Sequence, residues 1–129
     1  MPPIIVTATV FFVAIIHVAI AIVEIFFWQK PFVYERLGFT HEIAQIVAPI
    51  VANAGLYNSF ITAGLVWGAF AKNNAIFIRV FFLICVIIAG IFGAFTLKPT
   101  TLALQTIPAF LALVLVWFAV SKKVPESKT

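Results

Sequence analysis

Four long apolar runs, each carrying at most one Asp, Glu, Lys or Arg, take up most of this chain and constrain its fold more than any motif does. Crossing a hydrocarbon core of about 30 Å takes about 20 apolar residues in a helix, and each run has that length. A strand cannot cross alone, because lipid offers no partner for its backbone groups. The expected spans cover about residues 4–28, 43–71, 75–95 and 100–120, followed by a polar tail over 121–129. The connections are the loop WQKPFVYERLGFTHE, the turn KNN and the turn TLKPT. Connections this short place consecutive helices side by side in opposite directions. The expected fold is therefore all-α: one transmembrane domain over residues 1–129, built as an integral membrane four-helix antiparallel bundle.

Composition agrees. The chain is 64% hydrophobic and 9% charged, whereas a soluble domain is about half apolar and a quarter charged. The eight Lys and Arg residues are scattered, which argues for topology signals and against a nucleic-acid surface. Lys72, Arg79, Lys122, Lys123 and Lys128 fall on one side, and Lys30, Arg36 and Lys98 on the other. The positive-inside rule then puts both termini in the cytoplasm, in a multi-pass protein of the bacterial inner membrane. The first run reads as a span and not as a cleaved signal, because it lacks a basic start and exceeds the usual apolar length. Trp28 is expected in one aromatic belt, with Trp67 and Trp117 in the other. Arg79, one turn into the third span, is expected to snorkel to the headgroups. His41 reads either as a solvated loop residue or as a helix start after Thr40.

Polar residues inside the spans carry the functional argument, since lipid makes each of them costly. His17 lies near the middle of the first span, and Glu24 follows two turns later on the same face. The second span brings Asn53, Tyr57 and Asn58, the third ends on Thr96, and the fourth begins with Gln105. These residues come from all four spans and crowd into one half of the membrane. The expectation is a polar pocket with His17 at its floor beside Tyr57 and Asn58. Glu24 is expected to meet Asn53 or Gln105. Gly64 and Gly68 on the second span, and Ala89 and Gly93 on the third, are expected at helix crossings. Pro49 and Pro108 each free a backbone carbonyl and can kink their helices.

Three function classes fit these residues. One is a pocket for a small amphipathic or lipid-like molecule, extended to acid–base catalysis by His17 and Glu24. A second is a proton-coupled transporter or channel subunit working as a homo-oligomer. A third is a membrane scaffold that binds only lipids. A metal site needs three or four ligands, and His17 and Glu24 are the only strong ones inside the bundle, so none is expected. The sequence names no cofactor.

The stretches HVAIAIVEIFFW, NAGLYN, CVIIAGIFGAFT and QTIPAFLAL, in that order, resemble a family of small four-span bacterial and fungal membrane proteins catalogued as a domain of unknown function (number thirteen-oh-four). The resemblance runs from His17 to Leu113. It implies a four-span fold and singles out His17, Glu24, Asn53, Tyr57, Asn58, Ala89, Gly90, Gly93, Gln105 and Pro108. Where the family commonly reads Asn-Gln-Gly, this chain has Asn53, Ala54 and Gly55, which removes one amide from the expected pocket. The resemblance implies no activity.

Overall fold

A computed structural model describes residues 4–121, and these are all helical apart from short connections. Helix α1 spans Ile4–Ile22 and continues through a π-helical turn, Val23–Phe27. The loop then folds into a short helix α2, Pro31–Tyr34, and a 3₁₀ turn, Glu35–Leu37. Helix α3 covers His41–Phe70 and α4 covers Ala75–Thr96. A second π-helical turn, Leu102–Thr106, leads into α5, Ile107–Ser121. Four helices, Ile4–Phe27, His41–Phe70, Ala75–Thr96 and Leu102–Ser121, are long and apolar enough to cross a membrane. The expected polar tail lies outside the described residues, apart from Ser121 at the end of α5.

Elementary signals set the boundaries. Thr40 is the N-cap of α3 and its hydroxyl accepts from the Ile43 amide at 3.4 Å, so His41 is a helix start. Pro31 sits in the first turn of α2, where a missing N–H costs nothing. Gly38 closes the loop at φ +82°, a conformation that side-chain-bearing residues rarely adopt. Helix α3 runs unbroken through Pro49. Near Pro108 the backbone does depart from α geometry, in the π turn that precedes it.

The buried face of α4 is Arg79, Leu83, Val86, Gly90 and Gly93, a four-three repeat that keeps one stripe inward. Val6, Val10, Val13 and His17 repeat the spacing on α1. These stripes meet Leu65, Ala69, Ala109, Ala112 and Val116 in the main core, which all four long helices share. A second, smaller core gathers Trp28, Tyr34 and Ala44. The molecule thus has a turn end, carrying residues 71–74, and a loop end, carrying residues 28–40. Lys98 Nζ donates to the Arg36 carbonyl at 2.5 Å, so the connection between α4 and α5 also belongs to the loop end.

Glycines mark the close crossings. On α3, Gly64 lies against the Phe82 ring, and Gly68 against Ile78 and Arg79 of α4. On α4 the buried small residues are Gly90 and Gly93, both against the start of the fourth span, while Ala89 is exposed. The expected pairing of Ala89 with Gly93 is therefore replaced by Gly90 with Gly93.

Two further expectations are corrected. Arg79 does not snorkel: it is 2% exposed and donates to the carbonyls of Gly68 at 2.6 Å and Ala69 at 2.9 Å, with Thr7 Oγ1 at 3.4 Å. Those carbonyls belong to the last turn of α3 and have no partner within their own helix, so the guanidinium finds acceptors without leaving the bundle. Trp28 is not a belt residue. Its Nε1–H donates to the Ala44 carbonyl at 2.8 Å and its ring meets the Phe39 ring edge-on at 5.4 Å, which buries the indole. Trp67 and Trp117 are exposed, as belt residues are.

Candidate functional site

The site is built where α1 leaves α geometry. Successive contacts run in opposite orders along α1 and α3: Thr62 Oγ1 reaches the Ala14 carbonyl at 3.5 Å, and Gly55 lies against the Ala21 carbonyl. A Cβ on Gly55 would fall 2.7 Å from Ile25 Cγ1 and 3.1 Å from Glu24 Cβ. Only glycine lets the π turn seat this closely on α3. π turns are frequent at functional sites, because the extra residue re-aims a side chain. Here the turn carries Glu24.

The Glu24 carboxylate accepts from Asn58 Nδ2 at 2.8 Å through Oε2. The expected partners, Asn53 and Gln105, are not the ones that reach it. The contact register, with Gly55 seated against Ala21, Glu24 and Ile25, sets Glu24 about level with Ala54, roughly 6 Å along the helix from Asn58. Side chains on a helix lean toward its N-terminus. With α1 and α3 ordered oppositely, Glu24 and Asn58 lean toward one another and close that gap.

Glu24 also lines a cleft of about 590 Å³ at the loop end. Ile25, Phe26 and Trp28 form its wall from the first span, and Ala48, Pro49 and Ala52 form the facing wall from α3. Gln29 and Lys30 stand at the exposed end. The cleft combines apolar walls, one carboxylate and two further polar side chains. Asn58 is the only hydrogen-bond donor to Glu24 among the described residues, and Oε1 receives none.

The other expected site residues fall elsewhere. His17 is buried, and its Nδ1 is 2.9 Å from the Val13 carbonyl of its own helix, so Nδ1–H is the donor there. No hydrogen bond joins it to Glu24, and it does not line the Glu24 cleft. Tyr57 is 61% exposed, with its ring edge-on to Phe60 at 5.8 Å. Asn53 is exposed on the same helix. Thr96 is exposed and donates to the Phe92 carbonyl one turn back. Gln105 is half-buried in the second π turn, with its Cβ near Gly90. The expectation of one pocket floored by His17 is thus divided: Glu24 and Asn58 come together, and the other residues stand apart from them. Among the described residues no three His, Cys, Asp or Glu side chains cluster as metal ligands.

Sequence reasoning missed the cleft walls. Trp28, four residues after Glu24, carried a faint signal through helical spacing, and Pro49 through its freed carbonyl. Ala48 and Ala52 carried none. No curated protein and no solved structure matches the chain. A family model does match residues 11–117, described as "Protein of unknown function (DUF1304)". That match takes in α1 from Phe11 on, the loop and most of α5, including Glu24, Asn58 and every wall of the cleft, and the chain belongs to this family of unknown function.

Proposed function

We propose that this membrane protein binds a small amphipathic, lipid-like molecule in the loop-end cleft, with Glu24 as its polar anchor. The carrying observation is the carboxylate itself. One oxygen is held by Asn58 and the other is free for a ligand hydroxyl or amine, within apolar walls of the right size for a small ligand. In this reading Asn58 positions the carboxylate, and Gln29 and Lys30 meet the part of the ligand nearest water. The reading needs no catalysis, which would require His17 and Glu24 to share a substrate across helical turns. Transport by an oligomer and a purely structural role draw on the same polar residues but make no use of the cleft.

The reading assumes one transmembrane domain, an antiparallel four-helix bundle with both termini in the cytoplasm and the cleft toward the outer leaflet. The Lys and Arg distribution supports that orientation. Because Arg79 is engaged inside the bundle, the excess narrows to four residues against three. Cysteine labelling of intact cells at positions 30 and 122 tests it: position 30 should react from outside and position 122 should not.

Binding is tested by native mass spectrometry of the protein extracted in polymer nanodiscs. Wild type should carry one small amphipathic molecule per chain. Ala52→Phe, which fills the cleft from the α3 wall, should lose it. Equal occupancy in wild type and Ala52→Phe would place the ligand elsewhere and overturn the proposal.

A further inference from the structure

The cleft leaves several polar residues unused, Asn53 and Tyr57 among them. Asn53 and Tyr57 lie on the outward side of α3 in the stripe Ile46, Ile50, Asn53, Tyr57 and Phe60, all of them exposed. The spacing is four-three-four-three, which keeps a single stripe aligned along a helix and suits a helix partner. The stripe continues into Gly64, where Phe82 of α4 covers it. Toward the loop end it is bare.

Neither Asn53 nor Tyr57 makes a side-chain hydrogen bond with the described residues, although α3 has the length and apolarity of a membrane span. With Gly55 seated against Ala21, Glu24 and Ile25, Asn53 lies level with about Ile25 of the first span. On α3 itself it follows His41 by about 18 Å of helix, inside the apolar span. An unpaired amide facing hydrocarbon is unfavourable, and a neighbouring helix is the usual remedy.

We infer that this stripe of α3 is the contact face of a homodimer, in which the Asn53 amides of two copies hydrogen-bond to one another. The argument for a second copy is one of depth and complementarity. Every copy inserts with the same topology, so two copies are related by a twofold axis along the membrane normal, and each residue of the stripe meets its own counterpart at its own depth. An amide offers both a donor and an acceptor, so Asn53 is complementary to itself. Tyr57, its ring edge-on to Phe60, adds a hydroxyl to the same stripe. Buried Asn residues fix partner and register in paired helices in this way. No residue of the stripe lines the cleft, although Pro49 of the cleft wall borders it one turn from Asn53.

The test is oxidative cross-linking of the full chain in native membranes, in a Cys85→Ala background, with single cysteines at Ile50, Asn53 and Tyr57. Phe92→Cys and Phe110→Cys serve as controls, exposed but on other helices. Cross-links of twice the chain mass at positions 50, 53 and 57, and not at 92 or 110, are expected. Energy transfer between labelled copies in liposomes gives the second measurement. Asn53→Leu should raise the dimer dissociation constant by about threefold or more, the worth of one interhelical hydrogen bond, while Asn53→Gln keeps the dimer. Cross-linking that ignores the stripe, products of another mass, or a dimer unmoved by Asn53→Leu each overturn the inference.

Discussion

The turn end and the loop end of this protein spend their polar groups differently. At the turn end Arg79 is enclosed, and its bonds go to the open carbonyls of Gly68 and Ala69 and to the Thr7 hydroxyl. Around it the main core draws on all four long helices, and glycines on α3 let α4 approach. At the loop end the core is a small cluster about Trp28, two π turns replace α geometry, and Glu24 stands beside a cleft with one oxygen unclaimed. A polar group whose capacity is used within the chain holds the fold together. One whose capacity is left over, next to open space, is available to something else.

Substitution at Arg79 should expose this difference most strongly. Arg79→Leu leaves two carbonyls at the end of α3 without donors, at about 1–3 kcal/mol each. Unfolding in bicelles should show a loss of about 2–6 kcal/mol in total, with Arg79→Lys falling between it and wild type. A loss below 1 kcal/mol would mean that the turn end is not held by this clamp.

Gly90→Ala comes next. A Cβ there would meet the Thr106 hydroxyl, and would lie 2.9 Å from the Thr106 backbone nitrogen and 3.0 Å from Gln105 Cβ. Backbone cannot give way as a side chain does, so a cost of about 1–3 kcal/mol is expected. Gly55→Ala presses hardest on Ile25, a side chain that can shift, and meets the Ala21 carbonyl and Glu24 Cβ at 3.1 Å, a looser approach to backbone than at Gly90. Its stability cost should therefore be smaller, about 1 kcal/mol. Its effect on the bound molecule should be larger, because the π turn aims Glu24. Measuring stability and ligand occupancy on both variants separates the second π turn, a packing feature, from the first.

The spans were legible because bilayer thickness limits them: the starts at Ile4 and Ala75 follow from hydropathy alone, while the cap at Thr40 was one of two readings open for His41. That Glu24 would take an amide from another span, Asn53 or Gln105, was legible too. Which amide was not, because residues were ranked by Cα depth and side-chain lean brings Asn58 to Glu24 across about one turn. Arg79 was misread because a charged residue near a helix end has two remedies, the headgroups or an open carbonyl, and sequence does not show that α3 ends within reach. The alanines facing Glu24 were invisible, since a cleft is made by what small residues leave empty.

The smallest expected effect is at Trp28. Trp28→Phe removes the bond to the Ala44 carbonyl but keeps a ring against Phe39, for a loss of about 1 kcal/mol. Its unfolding free energy, set beside that of Arg79→Leu, gives the ratio of the two ends directly.

The central claim is that the Glu24–Asn58 pair is present for a ligand and not for the fold. Replacing both partners of a buried polar pair with apolar residues of similar shape is close to neutral or stabilising when the pair has no structural duty. The unfolding free energy of the double variant Glu24→Leu, Asn58→Leu, measured in bicelles free of added lipid ligand, is the most direct test. The account predicts a value equal to or above wild type. A loss as large as that of Arg79→Leu would contradict it and make the pair part of the scaffold.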